Sequence, residues 1–92
     1  MTTIKKGEGK FYVGENEAEP LAEITFQLTD TKLIIDHTVV SESLSGQGIA
    51  GKLVEKVVNY AREKGKKIIP VCSYAQKKME KTPEYHDVLA TE

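Results

Sequence analysis

A glycine-rich turn runs directly into the most regular amphipathic pattern of the chain, and this junction constrains the fold more than any other feature. Glycines occupy positions 46, 48 and 51, and the following residues repeat with the i, i+3, i+4 spacing of a helix that buries one stripe. The apolar positions between Gln47 and Lys64 are Ile49, Ala50, Leu53, Val54, Val57, Val58 and Ala61. Gly65 then supplies a stop signal. Because the unpaired N–H groups at such a helix start attract anions, the pattern predicts a phosphate-bearing ligand.

Part of this stretch has the letters of a P-loop. Gly46 and the pair Gly51-Lys52 have the spacing of its glycines and lysine. A P-loop next requires Ser or Thr to hold magnesium, whereas Leu53 occupies that position as a core-facing apolar residue. The P-loop interpretation is therefore disfavoured.

The same three glycines also spell the dinucleotide-binding fingerprint, G-x-G-x-x-G. In that fold a strand runs almost directly into the first glycine, and an acidic residue for the ribose stands at the end of the next strand. Here residues 41–45 separate the preceding strand from Gly46, and the next strand ends at Val71-Cys72. The context therefore disfavours this interpretation as well.

The chain before the turn has the pattern of an antiparallel meander. Lys10–Gly14 is a short apolar and aromatic run that predicts the first strand. Leu21–Leu28 alternates between apolar and polar residues, which is typical of a half-buried strand. Lys32–Val40 is apolar on both parities except at residues 36–38, so we expect a central strand covered on both faces. The short connections favour antiparallel pairing of these strands.

The chain after the helix completes a β-α-β unit. Lys67–Cys72 predicts a strand, and a right-handed crossover would place it parallel to the strand before the turn. Pro70 cannot donate a ladder hydrogen bond, so it belongs at an edge, at a bulge or where two strands part. Ser73–Lys81 has a capping-box start and predicts a short helix that Pro83 closes. A last packed segment is expected over residues 85–89. The fold class is therefore α+β, with the long helix on one face of the sheet.

Composition narrows the class of protein. A chain of 92 residues predicts one domain over 1–92, and one cysteine excludes an internal disulfide. One cysteine and two histidines also make a structural zinc site improbable. No apolar run reaches the length of a signal peptide or membrane span, so we expect a cytoplasmic protein with no membrane partner. Residues 1–46 carry a net charge of −4 and residues 47–92 one of +3, which suits a polyphosphate but is too little for nucleic acid.

The run Val39–Val54 resembles the acetyl-CoA-binding motif of the GNAT N-acetyltransferase superfamily, Q/R-x-x-G-x-G/A. Gly48 and Ala50 stand at the glycine and G/A positions, while Ser45 replaces the long polar side chain of the Q/R position. The resemblance extends over roughly residues 21–85 and is closest to minimal single-domain GNAT-like proteins. It implies a mixed sheet with splayed parallel strands, acetyl-CoA or CoA as cofactor, and acetyl transfer to a small-molecule or protein amine.

The resemblance also implies which residues hold the cofactor. Backbone amides of the turn would bind its diphosphate, and Val39 and Val40 would pair with the pantetheine amides as an added strand does. The Val40 N–H is a candidate donor to the thioester oxygen. The residues of the predicted turn are Ser45, Gly46, Gln47, Gly48, Ile49, Ala50 and Gly51.

Two residues are candidates for catalysis. His37 can exchange protons near neutral pH, and strand alternation predicts that it points away from Asp36. Cys72 ends a parallel strand just before a helix, where the dipole favours a thiolate. We expect Cys72 to lie across the gap from His37 and to carry an acyl group or contact the cofactor thiol. The structural alternatives are a hydrogen-bonded histidine and a buried, inert thiol.

Four further side chains are weaker candidates. Tyr74 and Tyr85 could protonate the departing thiol, and Lys77 and Lys78 could meet the 3′-phosphate, although surface solvation is the favoured interpretation for both lysines. The alternative function is a non-catalytic CoA-binding or interaction module. We expect a monomer or a weak homodimer that covers an apolar sheet edge.

Overall fold

The computed structural model describes residues 4–16, 18–44, 46 and 48–90. The strands are β1 Ile4–Gly7, β2 Lys10–Val13, β3 Ala22–Leu28, β4 Lys32–Val40 and β5 Lys67–Pro70. The α-helices are α1 Ile49–Lys64 and α2 Ser73–Lys81, and short 3₁₀ helices lie at Glu42–Leu44 and Pro83–Tyr85. The described strands form one sheet in the order β1-β2-β3-β4-β5, antiparallel as far as β4 and parallel between β4 and β5. This arrangement confirms the predicted α+β class.

The sequence pattern missed strand β1, so the strand predicted as the first is β2. β1 pairs antiparallel with β2, and Ile4 lies opposite Val13. The turn between them contains Gly9 at φ 70°, a left-handed conformation that glycine adopts without strain. Lys6 obscures the alternation of β1, because its ammonium lies 5.2 Å from the centre of the Tyr60 ring instead of facing away from the protein.

A β-bulge interrupts the pairing of β3 with β4. Thr25 lies opposite His37, yet the next pair joins Phe26 to Ile35, so Asp36 is an extra residue on β4. A bulge of this kind leaves two residues of one strand opposite one residue of its partner and bends the bulged strand. The side-chain alternation of β4 therefore shifts by one position at this point.

The bulge turns Asp36 and His37 to the same side of the sheet. The Gln27 amide donates to Asp36 Oδ2 over 3.2 Å, and His37 Nδ1 lies 3.1 Å from Thr25 Oγ1. Thr25 and Gln27 are two positions apart on β3 and therefore point to one face. The prediction that Asp36 and His37 lie on opposite faces is wrong, because the extra residue resets the alternation.

Both α-helices pack against the other face of the sheet. Leu33 and Ile35 of β4 are fully buried there, whereas Ile34 is half-buried and His37 is exposed. Neither helix covers the second face, which we call the open face. Its residues on β3 and β4 include Glu23, Thr25, Gln27, Asp36 and His37. The prediction that β4 is covered on both faces is therefore wrong, because the helices reach only its Leu33 side.

The parallel strands part at Pro70. The ladder between β4 and β5 ends with the pair Ile35–Pro70. The Ile35 carbonyl then accepts from the N–H groups of Val71 at 3.1 Å and Cys72 at 3.2 Å, and the chain turns into α2. Residues 36–40 of β4 continue beyond the end of β5. The predicted divergence of the two parallel strands is confirmed, and it leaves a gap beside the end of β4.

The segment after α2 closes the outer edge of β5. The Ile68 N–H donates to the Val88 carbonyl over 2.6 Å, and the Ala90 N–H donates to the Ile68 carbonyl over 2.8 Å. Val88 is buried in the core. Arg62 of α1 holds this segment through two hydrogen bonds to the Asp87 carboxylate, at 3.0 and 2.8 Å. The predicted packing of this last segment is therefore observed.

Candidate active site

The start of α1 is built by two glycines in left-handed conformation. Gly46 has φ 82° and Gly48, the N-cap residue, has φ 71°. A side chain at either position would strain the backbone. Among the described residues, no side chain caps α1, and no carbonyl accepts from the N–H groups of Ile49, Ala50 or Gly51. The first turn of α1 carries no acidic residue. These donors and the positive end of the dipole suit an anion.

A lysine and a tyrosine from α2 reach the first turn of α1. A Cβ added to Gly51 would lie 3.4 Å from Cε and 3.5 Å from Nζ of Lys78, and 3.7 Å from the Tyr74 hydroxyl oxygen. Sequence reasoning considered Lys78 only for the 3′-phosphate and did not place it beside Gly51. The i, i+4 spacing of Tyr74 and Lys78 on α2 was the signal available, because it puts both side chains on one helix face.

The backbone of Val40 faces the gap between the parallel strands. The Ser41 N–H donates to the Leu21 carbonyl over 2.7 Å, on the side of β3. Successive strand residues direct their N–H and C=O groups to opposite sides, so Val40 directs its groups away from β3. The Val40 side chain is half-buried against the core, and Val39 is 52% exposed. Two other predicted positions, Ser45 and Gln47, lie outside the described residues.

Cys72 occupies the N-cap position of α2, next to the gap. Its thiol donates to Thr38 Oγ1 over 3.6 Å. Partial burial by itself raises the pKa of the Cys72 thiol. Hydrogen bonds from the backbone N–H groups of Ala75 and Tyr74, and from the hydroxyl and N–H of Thr38, have a larger effect in the opposite direction. The pKa of the thiol therefore lies below its ordinary value. The predicted capping box is wrong: Ser73 is the first helical residue, and no side chain caps the helix.

His37 does not face Cys72. Thr38, which contacts the Cys72 sulfur, is opposite the buried Ile24 and shares its face of the sheet. His37 precedes it in the strand and lies on the open face, where Nε2 is 3.8 Å from Glu23 Oε2 and the side chain is 55% exposed. The predicted Cys72–His37 pair is therefore wrong, because adjacent strand residues point to opposite faces.

The described residues hold no group of three or more His, Cys, Asp and Glu side chains that could bind a metal ion. Over the same part of the chain, no helix combines the length and apolar character needed to cross a bilayer.

This fold and site define an acyltransferase class in which a glycine turn follows the strand that borders the gap. Residues 10–88 match the family model of GCN5-related N-acetyltransferases, and the chain belongs to that family. It is also similar to the solution structure of a GCN5-like protein from Staphylococcus aureus, provisionally named an N-acetyltransferase, with 47% sequence identity and a TM-score of 0.82. That likeness covers 98% of this chain and 89% of the other. A search of curated proteins finds no match.

Proposed function

We propose that this protein binds acetyl-CoA beside the gap between β4 and β5 and transfers the acetyl group to an amine. Acetyl-CoA is the general acetyl donor of the family to which the chain belongs. The observation that carries the proposal is the start of α1, where the described residues provide no cap for the first N–H groups. This helix start follows the stretch of β4 that extends beyond β5. The bound coenzyme would supply an activated acetyl group.

The glycine turn fits the diphosphate of such a coenzyme. Backbone N–H groups at a helix start hold phosphate without any need for a side chain, and Gly46 and Gly48 keep this approach free of Cβ atoms. Val39 and Val40 are proposed to hold the pantetheine arm through backbone hydrogen bonds. The proposed turn residues are Ser45, Gly46, Gln47, Gly48, Ile49, Ala50 and Gly51.

Two groups beside the gap are proposed to assist the transfer. The Val40 N–H would donate to the acetyl oxygen as negative charge develops there. His37 would take the proton from the incoming ammonium on the open face. Its hydrogen bond to Thr25 and its contact with Glu23 are also those of a structural histidine, so the role of His37 in catalysis is a prediction for mutagenesis.

Cys72 is proposed to accept the acetyl group before the amine does. The lowered pKa of its thiol favours the thiolate, which is the nucleophilic form. In that reaction a bond forms from Sγ to the acetyl carbon, the carbon–sulfur bond of the donor breaks, and the proton lost by Cys72 goes to the departing thiolate. Incubation with acetyl-CoA should then add one acetyl group by intact mass, and Cys72→Ala should abolish it. An unmodified wild-type protein at saturating acetyl-CoA would refute this role.

The open face favours a second candidate function. Neither helix covers Glu23, Thr25 or His37 on that face, so the described residues do not enclose a small amine. A CoA-binding interaction module without transferase activity needs no such enclosure. A panel of polyamines and lysine peptides distinguishes the transferase from the interaction module. Acetylation of any acceptor supports the transferase, and CoA binding without acetylation supports the interaction module.

Two glycine substitutions test the binding site. Gly48→Val and its control Gly65→Val introduce the same side chain at φ 71° and φ 70°, where an added Cβ meets no other atom within 4 Å. Both variants should lose stability similarly, whereas only Gly48→Val should lose CoA binding in calorimetric titrations. NAD and ATP serve as comparison ligands for the disfavoured phosphate patterns. Unchanged CoA affinity in folded Gly48→Val would overturn the proposed site.

A further inference from the structure

We infer that Lys78 supplies the positive charge for the coenzyme's diphosphate at the first turn of α1, an inference that rests on the proposed function. A turn that binds through backbone groups carries only partial charges from the helix dipole. The family's binding motif has a long polar side chain at the position of Ser45, which is too short to reach far beyond the backbone. A full positive charge that adds to these partial charges would therefore come from elsewhere in the chain.

The packing of α2 puts Lys78 where that charge is needed. Ala75 and Met79 are fully buried and anchor one face of α2 in the core. Lys78 is adjacent to that face and half-buried, and its Nζ is 3.5 Å from the position of a Cβ on Gly51. The ammonium therefore lies beside Gly51, the third residue of α1, in the same turn that carries these donors.

Lys78 has no anionic partner among the described residues. The ion pairs of those residues involve Lys10, His37 and Arg62, and none includes Lys78. A half-buried ammonium beside the positive end of a helix dipole is unfavourable unless an anion joins them. A diphosphate would satisfy the ammonium and the first-turn N–H groups together, and such charge-assisted hydrogen bonds are the strong ones.

The experiment compares three ligands with four forms of the full-length protein by calorimetric titration. The ligands are CoA, 3′-dephospho-CoA and pantetheine, which lacks phosphate. The proteins are wild type, Lys78→Gln, Lys78→Arg and the control Lys81→Gln, which removes the same charge from an exposed position on the same helix. Amide spectra of each form report whether the fold is kept.

Lys78→Gln should weaken CoA and 3′-dephospho-CoA equally, by about tenfold, the size of one charge-assisted hydrogen bond. Lys78→Gln should leave the affinity for pantetheine unchanged and should reduce the salt dependence of CoA binding. Lys81→Gln should bind all three ligands within about twofold of the wild-type affinity. Lys78→Arg should recover most of the CoA affinity that Lys78→Gln loses.

Equal CoA affinity of wild type and Lys78→Gln would overturn the inference while leaving the proposed function intact. A loss for CoA but not for 3′-dephospho-CoA would also overturn it, because Lys78 would then contact the 3′-phosphate. Failure of the wild type to bind CoA would instead overturn the proposed function and this inference with it.

Discussion

Gly51 of α1 gives a prediction in which stability and ligand binding are expected to separate. Glycine in the interior of a helix costs about 0.5–1 kcal/mol relative to alanine, and this value is an upper bound for Gly51 in the first turn of α1. The Cβ of an alanine would lie 3.4 Å or more from Lys78 and Tyr74, which is ordinary van der Waals contact. Gly51→Ala should therefore stabilise the protein by up to about 1 kcal/mol, raising the unfolding temperature by at most roughly 8 °C for a domain of this size. CoA affinity should change little.

Gly51→Leu is the matched variant, because leucine has nearly the helix propensity of alanine. Its additional carbons would occupy the space of the Lys78 ammonium, so the helix should again gain stability while CoA affinity falls as in Lys78→Gln. Thermal unfolding by circular dichroism and calorimetric titration measure the two effects on the same samples. A loss of stability in Gly51→Ala, or full CoA affinity in Gly51→Leu, would refute this account of why the two helices approach so closely here.

Three further predictions concern the thiol, the C-terminal segment and the core. Thr38→Val removes a hydroxyl that lowers the pKa of Cys72, so the pH midpoint of iodoacetamide alkylation should rise; an unchanged midpoint would contradict the contact. The hydrogen bonds from Arg62 hold the pKa of Asp87 below its ordinary value. They therefore stabilise the folded protein fully at pH values above the ordinary pKa, and this stabilisation disappears as the pH falls through the lowered pKa. Asp87→Asn should therefore be less stable than wild type in urea at pH 7, with the difference vanishing in acid. Met79→Ala empties a fully buried site and should cost about 2–5 kcal/mol, with a cost below about 1 kcal/mol contradicting the packing of α2.

Local patterns predicted the elements that border the site. The spacing from Ile49 to Ala61 predicted α1, and Gly65 adopts the left-handed C-cap conformation expected after its last turn. Pro70 predicted an edge, a bulge or a place where two strands part, because a residue without an N–H cannot donate to a ladder, and the ladder between β4 and β5 ends at this residue. These features depend on residues close together in the sequence, which is why the sequence was sufficient to predict them.

The contacts between elements were not available from the sequence. The bulge at Asp36 depends on the register between β3 and β4, and two polar residues in a strand give no sign of it. The approach of Lys78 to Gly51 depends on how α2 packs beside α1. Lys6 shows the same limit in β1, since its ammonium lies over the Tyr60 ring, 5.2 Å from its centre. Periodicity alone treats both lysines as solvated.

The alternation of His37 and Thr38 along β4 separates the two candidate catalytic residues. Cys72 and its partner Thr38 approach the gap from the helix side, whereas His37 approaches from the open face. If both residues act, Cys72 must act on the acyl carbon and His37 on an amine arriving from the other side. Cys72→Ala should then remove the acetyl adduct.

His37→Gln should leave acetyl adduct formation intact and slow only the transfer to an acceptor amine, by about a hundredfold or more if the imidazole is the base. Intact mass after acetyl-CoA treatment measures the first step, and product formation with the best amine of the panel measures the second. A His37→Gln protein that fails to form the acetyl adduct would contradict the separate roles of Cys72 and His37, since no described contact joins the imidazole to the thiol.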